Sequence, residues 1–159
     1  MGSRTTLSQT EKGQTLRALH ERPGAFIIPN PWDAGSARIL EHLGFEALAT
    51  TSAGSAFARG KRDSTLSREE TFADLAAIAA ATGLPVSADL GNCFGDDPKV
   101  VAETIRLAAV TGIVGGSVED ATGREDGPIY CFEHAVARVR AAAEAAHSLP
   151  LPFTLTARA

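Results

Sequence analysis

The chain alternates short apolar runs with longer stretches in which apolar residues recur every three or four positions. The runs are 25–29 (AFIIP), 46–52 (EALATTS), 85–90 (PVSADL), 112–119 (GIVGGSVE) and 152–157 (PFTLTA). Each is near-continuous rather than alternating, which predicts strands covered on both faces. The stretches between them carry helix punctuation. Ser67 with Glu70 forms a capping box opening a helix over 67–82, and Gly83 stops it. Asp97 followed by Pro98 is an N-cap with proline at the first helical position, and Gly112 ends that helix after Thr111. Val101, Ile105 and Ala108 give it an inner face. Further helices are expected over 132–147 and 33–42, and a leading helix over 7–20. The order is therefore a helix, then strand–helix units ending on a fifth strand. Such alternation means parallel βαβ units, either an open doubly wound sheet or a (β/α) barrel.

Length and charge narrow the picture. A chain of 159 residues and 16.5 kDa is one domain with a real core, and 44% hydrophobic against 21% charged residues is ordinary for a globular protein. A net charge of −4, a pI near 5.5 and no Lys/Arg run argue against nucleic acid as a partner. Cys93 and Cys131 have no zinc-like spacing and read as free thiols of a reducing compartment. The polar N-terminal stretch lacks the apolar segment of a signal peptide, and no run approaches the ~20 residues of a membrane span. The expectation is a cytoplasmic protein with no membrane partner.

Polar residues gather where the apolar runs give out. Asn30 and Asp33 follow the first run, Thr51 and Ser52 close the second, Asp89 the third, Glu119 and Asp120 the fourth, and Arg158 the fifth. In a parallel α/β fold all of these lie on one edge, at the C-terminal ends of the strands, where such folds build their sites. Carboxylates without His or Cys partners favour a hard cation, with Mg²⁺ taking one or two acids plus water and substrate oxygens. Such an ion polarises a carbonyl. Gly91, Gly95, Gly115 and Gly116 let the backbone approach a small ligand, and Arg158 offers a fork for a carboxylate or phosphate.

Three stretches, 30–64 (NPWDAGSARILEHLGFEALATTSAGSAFARGKRDS), 85–96 (PVSADLGNCFGD) and 112–123 (GIVGGSVEDATG), together resemble the isocitrate lyase/phosphoenolpyruvate mutase superfamily. The likeness runs in order from about residue 26 to the last residue. It implies a barrel of the TIM type, oligomeric through an exchanged C-terminal helix. It also implies Mg²⁺ and the making or breaking of C–C or P–C bonds next to a 2-oxo acid through an enolpyruvate-like intermediate. Carried over by residue, the resemblance implies that Thr51, Ser52 and Ala53 hold the oxo acid and that Asp63 reaches the metal through water. Asp89 matches the second acid of the family's D-A-D strand end, Glu119 the glutamate of its E-D pair, and Arg158 a substrate-contacting arginine. The implied catalytic residues are Arg158 and Asp63, and the implied metal residues are Asp89, Glu119 and Asp63. The substrate would be a small 2-oxo or phosphono acid, bound by a homo-oligomer.

The sequence also departs from that pattern. Ser87 stands where many members have the first Asp of D-A-D, which lowers the expected metal affinity. The loop REDGPIYCFEHA after VEDATG lacks both the lyases' K-K-C-G-H and the mutase's Lys and Asn pair. An oxaloacetate-like or phosphonate-like substrate fits better than isocitrate, methylisocitrate or the mutase reaction. Five strands fall short of the eight strands and ~250 residues of a closed barrel. The expected organisation is a leading helical segment, 1–24, and a partial barrel of about five β/α units, 25–159, read as an N-terminal fragment or truncated frame. The competing reading is a non-catalytic folding or association module.

Blander roles compete at single residues. Asp33 reads as the N-cap of its helix, Glu119 can simply pair with Arg158, and Asp63 can belong to a solvated cluster with Lys61 and Arg62. Asp120 supports Glu119 or caps a turn, Trp32 packs, and His20, His42, His134 and His147 lie on helices away from the strand ends. A nucleotide-binding alternative lacks a G-x-G-x-x-G turn after the first run.

Overall fold

A computed structural model of the chain describes residues 7–159. Its elements run α1 (Gln9–Glu21), α2 (Ala34–His42), β1 (Leu48–Ala49), α3 (Ser52–Ala58), α4 (Arg68–Ala81), β2 (Val86–Asp89), α5 (Pro98–Val110), β3 (Gly115–Glu119), α6 (Phe132–His147) and β4 (Thr154–Arg158). The strands form one parallel sheet in the order β1-β2-β3-β4, with Ser87 opposite Gly115 and Glu119 opposite Arg158. This is a partial (β/α) barrel. None of the helices among the described residues is long and apolar enough to cross a membrane.

Helix ends follow local chemistry. The Ser67–Glu70 capping box closes at α4, and Asp97 caps α5 ahead of Pro98. Asp33 accepts from the Ser36 N–H at the start of α2, and Ser36 returns the bond to the Asp33 backbone. Ser8 and Glu11 form a further capping box at α1.

Two expectations are corrected. Segment 25–29 is not a strand of the sheet. It runs beside β1, where the Ala49 N–H donates to Pro29 O (3.1 Å) and the Asn30 amide donates to Ala49 O (2.8 Å). Proline at 29 and 31 removes the donors that a continuing ladder would need. The expected strand 46–52 shrinks to Leu48–Ala49, because Thr51 caps a short helix, α3, and accepts from the Gly54 N–H.

The strands are also not apolar on both faces. Val86, Ala88 and Val118 point to the helices and are buried with Ile78, Val101, Ile105, Ala142 and Ala145. The other face presents Ser87, Ser117, Thr154 and Thr156, which line a concave cavity of about 430 Å³ with His20, Ile28 and Asn30. Small hydroxyl residues concealed this alternation, since Ser and Thr in a short run barely interrupt its hydropathy.

Helix α1 closes the N-terminal end of the sheet. Leu16 and Leu19 pack with Ala47 and Val114, the Gln9 amide donates to Ala109 O and Ile113 O, and Lys12 Nζ donates to Thr82 O. The opposite end is left to the strand-end acids.

Candidate functional site

Parallel strands deliver Asp89, Glu119 and Arg158 to one rim. Asp89 ends β2, Glu119 ends β3 and Arg158 ends β4. Alternation along each strand puts all three on the concave side, in line with Ser87, Ser117 and Thr156. Pairing extends past the strand ends, for the Glu119 N–H donates to Gly91 O (2.9 Å) and the Thr50 N–H to Ser87 O (2.9 Å). Gly91 sits at φ +53° with no atom near its missing side chain, so the backbone turns sharply beneath the acids.

The Asp89 carboxylate is held from three sides. Its Oδ2 accepts from the Ser52 N–H (2.9 Å), and its Oδ1 accepts from the Gly91 N–H (3.2 Å) and Arg158 Nη1 (3.4 Å). Its own N–H donates to Thr50 Oγ1 (3.0 Å). Arg158 Nη1 also stands 2.5 Å from Glu119 Oε1. With legs of 3.4 and 2.5 Å from one nitrogen, the two carboxylate oxygens lie no more than about 6 Å apart. One cationic group already bridges them. Asp89 and Glu119 side chains are 16% and 24% exposed, against 52% for Arg158, so the acids are recessed and the guanidinium is open to water.

A cavity of about 530 Å³ opens above them. It is lined by Thr51, Ser52, Ala53, Asp63, Asp89, Glu119 and Arg158, so the seven residues that the family resemblance singled out border one space, whereas Asn30, Asp33 and Asp120 do not. Asp63 is the outermost acid. Its Oδ1 accepts from the Ser64 N–H (2.7 Å) and, at 3.4 Å, from Ser52 Oγ. Lys61 turns away to Glu70, which leaves Asp63 outside that pair. The three acids do not close into a ligand triad: among the described residues no group of three or more His, Cys, Asp or Glu is placed to hold a metal ion. Asp120 contributes backbone only, its N–H donating to Arg158 O and its carbonyl accepting from the Tyr130 N–H. Ser87 faces the inner cavity below Asp89.

Sequence reasoning passed over Asn92, Phe94 and Thr122, which also line the cavity. It also missed the network joining the two loops behind it. Tyr130 Oη donates to Asp96 Oδ1 (2.5 Å), Arg124 Nη1 donates to Asp96 Oδ2 (2.8 Å), and the Asn92 amide donates to Thr122 O (3.3 Å). The Tyr130 and Arg124 bonds hold Asp96 below the usual carboxylate range, and burial, with the bond to Asp96, pushes the Tyr130 phenol up. The adjacency of Gly95, Asp96 and Asp97 was the available signal, but nothing in it pointed to partners some thirty residues on.

Comparison with known proteins decides the family. A family model described as phosphoenolpyruvate phosphomutase matches residues 16–159. The chain belongs to this family, within the isocitrate lyase/PEP mutase superfamily. The crystal structure of a "putative lyase/mutase" from Burkholderia cenocepacia J2315 is 62% identical with a TM-score of 0.92, over 94% of this chain and 54% of that one. The 2,3-dimethylmalate lyase of Eubacterium barkeri is 31% identical over 140 residues, 81% of this chain and 47% of the enzyme. Oxaloacetate acetylhydrolase, in complex with its product oxalate, aligns at 27% identity and a TM-score of 0.86, over 95% of this chain and 54% of that one. The chain thus spans about half the length of these family relatives.

Proposed function

We propose that this chain carries the metal and substrate residues of an Mg²⁺-dependent lyase or mutase. The reaction would cleave or rearrange a C–C or P–C bond beside a small 2-oxo or phosphono acid. The observation that carries the reading is the convergence of Asp89 and Glu119 on one guanidinium nitrogen, at the floor of a cavity bordered by Ser52 and Asp63.

The donor set fits magnesium. Two recessed carboxylates within about 6 Å match an ion that takes one or two acids and completes its shell with water and substrate oxygens. Asp89 and Glu119 would hold it, with Asp63 acting through water. Magnesium, when bound, supplies Lewis-acid polarisation of the 2-oxo group. The remaining work falls to the chain. The Ser52 and Gly91 amides keep Asp89 aimed at the cavity. Thr51, Ser52 and Ala53 border the space for the oxo-carboxylate. Arg158, now neutralised by the two acids, would turn to the carboxylate or phosphonate of the substrate, its planar fork suiting either. Bond cleavage beside the 2-oxo group would leave an enolpyruvate-like species, and Arg158 is the cationic side chain lining that cavity. The relatives that act on 2,3-dimethylmalate and oxaloacetate support a small dicarboxylate as substrate.

The test is a thermal melt with Mg²⁺ and oxalate. A ligand that binds only the folded state at 100 times its Kd adds about 2.7 kcal/mol, a shift of several degrees for a chain this size. Mg²⁺ with oxalate should raise Tm in the wild-type chain and fail to do so in Asp89→Asn. A folded wild-type chain that responds to neither Mg²⁺ with oxalate nor Mg²⁺ with pyruvate would instead be a non-catalytic module.

A further inference from the structure

Arg138 is a buried charge that the chemistry above does not use. It lies midway along α6 and is 1% exposed. Its guanidinium donates to three backbone carbonyls of a single loop, residues 90–97. Nη1 reaches Gly95 O (2.5 Å) and Asp96 O (2.8 Å), and Nη2 reaches Asn92 O (2.5 Å). The group stacks 4.1 Å over the Tyr130 ring, and its Nε is buried without a partner. Burying a guanidinium is costly, and an apolar side chain of similar length would fill the same space without that penalty. What it could not do is bond three carbonyls at once, which the planar fork does.

The loop it grips needs holding. Besides Gly91, Cys93 (φ +59°) and Phe94 (φ +62°) sit in the left-handed region that side-chain-bearing residues avoid. Thr104 Oγ1 adds a bond to Cys93 O (3.0 Å), from α5. The same loop carries the link between the two acids: the Gly91 N–H donates to Asp89 Oδ1, and Gly91 O accepts from the Glu119 N–H. Asn92 and Phe94 face the site cavity.

We propose that Arg138 is a positioning residue which clamps the β2–α5 loop from behind and, through Gly91, sets the spacing of Asp89 and Glu119. The inference rests on the proposed metal and oxo-acid site, although Arg138 does not line that cavity. Affinity for a divalent cation with a small dicarboxylate thus depends on a guanidinium that borders a neighbouring cavity with Glu119 and Arg158 and not the site cavity itself.

The experiment measures oxalate binding to the full chain in saturating Mg²⁺ by calorimetry, with amide hydrogen exchange on the same samples. Arg138→Met should bind oxalate at least tenfold more weakly and lose protection at the Gly91, Cys93 and Glu119 amides, while amides of α1 and β1 exchange as before. Arg138→Lys, which keeps the charge and part of the bonding, should recover part of both. Thr104→Val, which removes one tether of the same loop and leaves Arg138 in place, should give a smaller change in the same direction. If Arg138→Met does not fold, Arg138→Lys and Thr104→Val decide. Unchanged oxalate affinity in folded variants overturns the proposal. If the wild-type chain binds no oxalate, the site reading fails, and exchange at Gly91 and Glu119 still decides whether Arg138 governs the loop. A general loss of protection across the sheet would make Arg138 a stability residue and overturn the proposal as well.

Discussion

Glu119 and Arg158 are the last register partners of β3 and β4, and their side chains close an ion pair of 2.5 Å at the mouth of the sheet. Because Arg158 Nη1 also reaches Asp89, one guanidinium occupies the position between two acids that a divalent ion would take. On the proposed function, arginine and metal would compete for the same charges, and a substrate anion would relieve that competition by drawing the arginine away.

Arg158→Ala separates the two roles. The guanidinium is half exposed, so its loss costs at most about 1 kcal/mol and Tm should scarcely move. With the competing cation gone, Mg²⁺ alone should bind up to about fivefold more tightly, the equivalent of that same energy. Oxalate in saturating Mg²⁺ should bind at least about tenfold more weakly for want of a charged hydrogen bond. Two calorimetric titrations check both directions, and a parallel fall in the two affinities would contradict the competition.

Gly13 is set where no side chain fits. A Cβ there would stand 2.3 Å from Pro152 O, a backbone atom that cannot swing aside. Alanine is the better helix former by about 1 kcal/mol. The clash should outweigh that gain, leaving Gly13→Ala destabilised by about 1–3 kcal/mol in urea unfolding.

The two cysteines should react very differently. Cys93 is fully buried, and desolvation pushes its thiol up to about 12 against the opposing pull of Arg138, whereas Cys131 is exposed. Iodoacetamide at pH 8 should label Cys131 alone in the native chain and both residues in denaturant. Peptide mapping identifies the site. Rapid native labelling of Cys93 would mean that the β2–α5 loop opens.

Asp33 should make stability fall in acid. Its carboxylate lies below the usual range because the Ser36 N–H bonds to it at the start of α2. A pKa lowered on folding stabilises the protein above the unfolded value, ~3.9, and that contribution is lost as pH falls through the folded value. Asp33→Ala should cost about 1 kcal/mol at pH 7. The difference from wild type in urea midpoint should shrink below about pH 4.

The legible parts of the fold were those set by local chemistry. Ser67 with Glu70 and Asp97 with Pro98 fixed two helix starts, because a cap is a short-range bond between neighbours. The common edge for Asp89, Glu119 and Arg158 was legible because parallel topology forces every strand end to one side. Segment 25–29 was hidden by its composition, since apolar content does not reveal that flanking prolines withhold donors. Helix α3 was hidden because SAGSAFA has little apolar periodicity, and its start depends on Thr51 capping Gly54. Arg138 was invisible as a loop clamp, for its partners lie over forty residues back in the chain.

Helix α1 has a consequence for engineering. It is bolted to the floor by Gln9 and Lys12, far from the mouth where Arg158 and Glu119 meet. The anchoring bonds of α1 thus lie at one pole and the strand-end acids at the other. On the proposed function, substitutions at Gln9 and Lys12 would change heat tolerance more than ligand preference, whereas His20, on the same helix, borders a cavity shared with Asp89 and Arg158 and would touch both.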